Sequence, residues 1–172
     1  MIITAGIYKG RKITAPDENI TRPTLSKTRM GIFNTLYSII GEFDGKSFLD
    51  VFGGSGIMGL EALSRGFEDV KVYELNRKSA EIIKKNYSVL KLKPNLTVGD
   101  SIKILSGSSE YFDVVYIDPP YQSGIYETVL KLVKGGIIVV EYSEEVDFTG
   151  FNIIKQKNYG GTKIAYLSQI SK

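Results

Sequence analysis

Asp50-Val51-Phe52-Gly53-Gly54-Ser55-Gly56-Ile57-Met58-Gly59 joins a strand-like apolar run over 47–52 to a helical stretch that continues to Arg65. Gly54, Gly56 and Gly59 satisfy G-x-G-x-x-G, and Glu74 follows about twenty residues on. Glycines at such a junction let the backbone turn sharply and come close to a ligand, and the acid accepts from a ribose hydroxyl. Glycine-rich strand–helix turns are common, so the surrounding pattern decides the fold. Gly66 stops the helix, and 70–75 reads as a second strand. Asn76 is a suitable cap for a helix over 77–90, with Ile82, Ile83, Tyr87 and Leu90 on its apolar face. Pro94 and Asn95 break it ahead of a short strand over 96–98. A short helix over 101–105, a strand over 112–117, a helix over 126–133 ended by Gly135-Gly136, and a strand over 137–141 complete the alternation.

Strands alternating with helices predict parallel βαβ units, and right-handed crossovers wind them into a doubly wound α/β sheet. The runs 114–117 and 137–140 are apolar without alternation, as strands covered on both faces require. Residues 151–157 and 163–170 flank Asn158-Tyr159-Gly160-Gly161 and read as an antiparallel hairpin at the sheet edge. The whole chain, 1–172, is expected to be one domain, with 46–172 as core and 1–45 as an N-terminal extension. In the extension, 1–4 and 11–15 can pair across Tyr8-Lys9-Gly10. Arg22-Pro23-Thr24 leads into a helix with Ser26 as its cap, and Met30, Phe33, Asn34, Leu36, Tyr37 and Ile40 follow helical spacing.

Two absences narrow the chemistry. The chain has no Cys and no His. Cys/His zinc sites, iron–sulfur clusters and nucleophilic triads built on His or Cys are excluded, and no metal is expected. Its 172 residues, 42% hydrophobic and 24% charged, suffice for a full core. No apolar run reaches the ~18 residues of a membrane span and no signal-peptide pattern is evident, so a soluble, cytoplasmic protein is expected.

Acids recur where strands end: Asp50, Glu74, Asp100 and Asp118. Open α/β sheets bind ligands along that carboxyl edge. A carboxylate at Asp50 is awkward beside a pyrophosphate but suits a cofactor with a cationic amino acid end and no phosphate, such as S-adenosylmethionine. Glu74 would accept from its ribose hydroxyls and Asp100 from its adenine amino group. The last acid opens Asp118-Pro119-Pro120-Tyr121. Two prolines end the strand and stiffen the loop. The loop then offers a carboxylate, carbonyls and a ring to a planar group bearing an –NH₂.

With that loop in place, the chain resembles class I S-adenosylmethionine-dependent methyltransferases, whose amino-methylating members carry [Asp/Asn/Ser]-Pro-Pro-aromatic. More closely, it resembles the RsmD family. The residues that carry this are Ile3-Thr4-Ala5-Gly6, Lys9-Gly10-Arg11-Lys12, Arg22-Pro23-Thr24, Arg29, Phe33-Asn34, Phe52-Gly53-Gly54-Ser55-Gly56 and Leu60-Glu61-Ala62-Leu63-Ser64-Arg65-Gly66. Met30-Gly31 departs from the family pattern, which has Glu after the arginine. The resemblance implies a Rossmann-like core and methylation of a guanine N2 in bacterial small-subunit (16S) ribosomal RNA. It implies Asp118, Pro119, Pro120 and Tyr121 as catalytic residues. Asp50, Phe52, Gly53, Gly54, Ser55, Gly56, Glu74, Leu75, Asp100, Ser101 and Asp118 would border the cofactor. An ordinary aspartate, with a pKa of about 4, is a weak base, so the expected role of Asp118 is to orient the amine.

Residues 1–30 hold six basic side chains against Asp17 and Glu18, within a chain of net charge +3. A basic segment on a near-neutral body points to a polyanion. Lys9, Arg11, Lys12, Arg22 and Arg29 are the expected RNA contacts, and ribosomal proteins are possible companions of the substrate. Three other enzyme readings compete: an adenine-N6 methyltransferase, a protein-glutamine methyltransferase and a nicotinamide-dependent oxidoreductase. The last leaves Asp118-Pro119-Pro120-Tyr121 unexplained. A non-catalytic RNA-binding module is the reading without chemistry.

Overall fold

A computed structural model describes residues 1–15, 25–120 and 124–171. The elements in chain order are α1 (Ser26–Ile40), β1 (Ser47–Asp50), α2 (Ile57–Ser64), β2 (Asp69–Glu74), α3 (Arg77–Val89) and β3 (Asn95–Val98). They continue as α4 (Ser101–Ser106), β4 (Phe112–Ile117), α5 (Ile125–Leu132), β5 (Gly135–Tyr142), β6 (Phe151–Tyr159) and β7 (Thr162–Gln169). The seven strands form one sheet in the order β3-β2-β1-β4-β5-β7-β6. The first five strands pair in parallel, and β7 runs antiparallel between β5 and β6. This is the mostly parallel, doubly wound α/β sheet that the alternating pattern predicts. The strand order reverses between β1 and β4, where such sheets bind ligands.

Side-chain alternation sends neighbouring residues of each buried strand to opposite layers. Val114 and Tyr116 join a core with Ile32, Phe33 and Leu36 of α1, Leu60 of α2 and Ile83 of α3. Val115 and Ile117 join another with Leu105 of α4 and Val129 and Leu130 of α5. Among the described residues, no helix is long and apolar enough to cross a membrane.

Residues 1–15 lie against α2 and α3. Ile2 and Lys12 form an antiparallel bridge, supported by Ile3 N–H to Arg11 O at 3.0 Å and Ile13 N–H to Met1 O at 2.9 Å. At the turn, Gly6 has φ +82°, and a Cβ there would come within 1.8 Å of the Ser64 carbonyl oxygen. The amides of Ile7 and Tyr8 bond Ser64 O and Oγ at 2.9 Å each. Asn86, fully buried on α3, seals the other end of this arm. Its Oδ1 accepts from Thr14 N–H at 2.8 Å, and its Nδ2 donates to Thr14 O and Ser55 O, both at 2.9 Å. Asn86→Ala removes these bonds and is expected to destabilise the fold by about 1–3 kcal/mol, read as a loss of thermal midpoint.

Two local expectations are corrected. Ser26 is the first residue of α1, not its cap; Leu25 holds that position, and the Ser26 hydroxyl accepts from Arg29 Nη2 at 3.2 Å. Gly135 and Gly136 open β5 instead of ending α5, because added Cβ atoms would meet Val115 at 2.7 Å and Asp113 O at 2.9 Å. The Met30-Gly31 departure also has a local reason. A Cβ on Gly31 would sit 2.3 Å from the Tyr159 hydroxyl, so the ring from the β6–β7 hairpin takes the side-chain space at that point of α1. Arg22-Pro23-Thr24 and Tyr121 lie outside the described residues.

Candidate active site

The site lies along the carboxyl edge of β3, β2, β1 and β4. Asp100, Glu74, Asp50 and Asp118 follow one another in that spatial order. Asp50 pairs in register with Tyr116, and Val51 N–H extends the ladder to Tyr116 O at 3.1 Å. Asp118 therefore emerges beside the turn that leaves β1.

That turn is shaped by its glycines. Gly54 and Gly56 have φ +59° and +81°, and Gly56 is the left-handed residue that admits the chain to α2. Gly53 N–H bonds Tyr73 O at 2.8 Å, and a Cβ on Gly53 would lie 2.4 Å from Val72. Gly54 N–H reaches Glu74 Oε1 at 3.0 Å, and Asn76 N–H reaches Glu74 Oε2 at 3.3 Å. Glu74 thus ties the turn to the end of β2. A carboxylate has about four lone-pair positions, so acceptor capacity remains for a ligand. Burial is the largest influence on Glu74 and raises its pKa above the usual carboxylate value.

Asp50 is buried, and its Oδ1 accepts from Phe52 N–H at 3.3 Å. Its Oδ2 is buried without a hydrogen-bond partner, as is the Tyr87 hydroxyl. Burial pushes the Asp50 pKa well above the ordinary value, and the nearby Glu74 charge adds to the rise. An orphaned carboxylate oxygen is costly unless a donor or cation completes it. The ammonium end of S-adenosylmethionine has the chemistry to do so, and the donor set at this edge fits that cofactor.

A pH dependence follows from the raised pKa. With the folded value above the unfolded one, the contribution of Asp50 to stability is full at pH below the unfolded value. It is lost as pH rises toward the raised one. Ligand pairing needs the charged form and strengthens over the same rise. Asp50→Asn is therefore expected to raise the thermal midpoint at neutral pH and to weaken cofactor affinity by about 10- to 100-fold, the value of a hydrogen bond to a charged group. Calorimetric titration and thermal melts on the same samples check both signs.

The remaining expected residues divide by what their side chains touch. Leu75 is 65% exposed just past Glu74, and Val98 is 45% exposed in register with it. These apolar surfaces at the rim suit the face of a planar base. Phe52 is half-buried against the α4–α5 side core. Asp100 Oδ1 caps α4, accepting from Ile102 and Lys103 N–H at 2.9 and 3.3 Å. Ser101 Oγ donates to Val51 O at 2.6 Å, and Ser55 Oγ accepts from Ile57 N–H at 3.3 Å. Both serines brace the turn from beneath. Asp118 is half-buried, Pro119 buried and Pro120 exposed.

Of the expected RNA contacts, Lys9, Arg11 and Lys12 are exposed on the arm. Arg29 is corrected. It is 1% exposed, its Nε lies 3.4 Å from Glu61 Oε1, and its Nη2 donates to Ile2 O at 2.7 Å. A guanidinium held inside by these partners cannot reach a phosphate; Arg29 fastens α1 to α2 and the arm. Asn86 is a residue the sequence reading passed over. Its signal was a polar side chain beside Ile83, Tyr87 and Leu90 on the apolar face of α3.

A family model described as "Conserved hypothetical protein 95" matches residues 1–168. The chain belongs to this family, the RsmD family. It is 32% identical over 178 residues to ribosomal RNA small subunit methyltransferase D of Haemophilus influenzae, covering 92% of this chain and 88% of that one. It is 32% identical over 133 residues to the protein of that name in Escherichia coli K12, covering 77% of this chain and 66% of the other. The solved structure of Escherichia coli yhhF superposes with a TM-score of 0.84 at 24% identity, covering 98% of this chain and 97% of that chain. That likeness establishes the Rossmann-like fold for this RsmD-family chain.

Proposed function

We propose that this protein methylates the exocyclic N2 amino group of a guanine in small-subunit ribosomal RNA, using S-adenosylmethionine. One observation carries the reading: the Asp118-Pro119-Pro120 loop leaves the sheet beside an acid-lined glycine turn whose Asp50 keeps a buried oxygen without a partner. Family membership and relatives named for small-subunit ribosomal RNA methylation support the substrate class.

Asp50 and Glu74 would hold the cofactor's ammonium and ribose, and Leu75 would lie against its base. When bound, S-adenosylmethionine supplies an electrophilic methyl on a sulfonium. The protein's task is to aim the amine. A guanine N2 lone pair is delocalised into the ring. Asp118 and the Pro119 carbonyl accept its two N–H bonds, which turns the lone pair toward the methyl group. The methyl would pass to that lone pair with a neutral thioether as leaving group, and the proton would go to solvent once the nitrogen carries the methyl. Orientation and electrostatics, not prior deprotonation, provide the acceleration. Tyr121 stacks on a base that is unpaired or flipped out. The reaction belongs to the cytoplasm, on small-subunit ribosomal RNA either free or accompanied by ribosomal proteins.

Titration calorimetry with S-adenosylmethionine, followed by label transfer to small-subunit ribosomal RNA, tests this reading. Saturable binding and label on guanine N2 are expected. Label on adenine, or on protein glutamine, would reassign the substrate.

A further inference from the structure

Residues 77–93 carry six basic side chains and one acid, Glu81, while residues 1–15 carry three basic side chains and none. The other 140 residues hold the remaining thirteen basic side chains against eighteen acids. The molecule is therefore polarised far beyond its net charge of +3. The two basic segments also touch. Arg11 Nη2 donates to Val89 O at 3.1 Å in the last turn of α3, and Thr14 is bound on both sides by Asn86 one turn earlier. Lys85, Lys91 and Lys93 are exposed beside that contact, as are Lys9 and Lys12 on the arm. On α3, Lys84 pairs with Glu81 at 2.9 Å; these other five lysines join no ion pair among the described residues.

Lys91 is the only non-glycine residue with positive φ among the described residues, at +58°. Its N–H bonds Ser88 O at 2.9 Å and Leu92 N–H bonds Tyr87 O at 3.0 Å. This is a Schellman closure with lysine where glycine is the usual residue. A cation at a helix C-terminus complements the helix dipole. That accounts for one such charge, not for three within nine residues, and a lysine anywhere in the last turn would serve without left-handed backbone.

We propose that the arm and the C-terminal end of α3 form one continuous phosphate-binding face, with Lys85, Lys91 and Lys93 extending the contact begun by Lys9 and Lys12. This rests on the RNA reading above and gives that substrate a second point of attachment. The N-terminus of α3 follows Glu74 at the site edge, and thirteen residues at 1.5 Å each place its far end about 20 Å away. That distance corresponds to about six stacked nucleotides at 3.4 Å. Phosphate contacts there set register and carry no base information.

The test measures affinity for a small-subunit ribosomal RNA fragment from low to high salt. It compares wild type, Lys85→Glu/Lys91→Glu/Lys93→Glu, and a control with the same charge change elsewhere, Lys134→Glu/Lys155→Glu/Lys157→Glu. The α3 variant is expected to lose roughly 2–3 from the slope of log affinity against log salt, at about 0.7–0.9 per phosphate contact. Its KM for RNA rises while its kcat and its S-adenosylmethionine affinity hold. The control keeps most of the slope. Lys91→Gly separates binding from folding: it relieves the left-handed strain and raises the thermal midpoint by roughly 2–4 °C, yet weakens RNA binding. An α3 variant with wild-type slope, or a control that loses as much, overturns the proposal while leaving the methyltransferase reading intact. A wild-type protein that binds S-adenosylmethionine but has no salt-dependent RNA affinity removes the RNA reading itself.

Discussion

Asp118→Ala is expected to lower methyl transfer by about 100- to 1,000-fold, the scale on which one preorganised hydrogen-bonding group acts in a transition state, while S-adenosylmethionine still binds. In the proposed site Asp50 would hold the cofactor's charged end and Glu74 its ribose, and the substitution leaves both in place. In the proposed mechanism Asp118 accepts one N–H of the amine, and alanine leaves it only the Pro119 carbonyl. Asp118→Asn keeps one acceptor oxygen in the same shape and should retain more activity than alanine. Paired calorimetry and labelled-methyl transfer on the same preparations separate binding from turnover. Wild-type turnover by the alanine variant would remove Asp118 from the chemistry.

The largest loss of stability is expected at Glu61. This carboxylate is fully buried between two arginines, with Arg29 Nε at 3.4 Å from Oε1 and Arg65 Nε at 3.3 Å from Oε2. Oε1 also accepts from Thr4 N–H at 2.6 Å. Burial lowers the pKa of Arg29, and Glu61 opposes that effect. Arg65 lies 5.0 Å above the Phe33 ring, so the group links the arm, α1 and α2. Glu61→Ala leaves Arg29 buried without its counter-charge, a change that costs about 3–5 kcal/mol. Replacing both Arg29 and Glu61 by Met should be milder than the single change, because the fully buried Arg29 is no longer stranded and only Arg65, which keeps some solvent contact, loses its counter-charge. Urea denaturation of wild type and the two variants reads this directly. A Glu61→Ala loss under about 1 kcal/mol would show the pair to be solvated and dispensable.

The sheet was legible because its strands and helices are short, apolar and punctuated. Asn76 caps α3 through two backbone amides, as its position before a helical stretch foretold. The four strand-end acids fell along one edge because parallel strands bring like ends together. What sequence left hidden depends on partners distant in the chain. Arg29 counts as surface charge until Glu61, 32 residues away, is placed beside it. Gly135-Gly136 resembles a helix stop until β4 is close enough to forbid a Cβ. Gly31 has no evident cause until Tyr159 folds back over α1. Within the site, the residue types were readable. The missing bond on Asp50 was not, since it depends on burial in the folded sheet. The charge of the arm was visible by counting, but its continuation onto α3 needed the Arg11–Val89 and Thr14–Asn86 contacts.

In the proposed function, one guanine N2 of small-subunit ribosomal RNA receives its methyl group from this protein. Mass-spectrometric mapping of that RNA, from cells lacking the gene and from the same cells given back wild type or Asp118→Ala, tests it most directly. One N2-methylguanine should vanish on deletion, return with wild type and stay absent with Asp118→Ala. An unchanged N2-methylguanine map in the deletion would contradict the account.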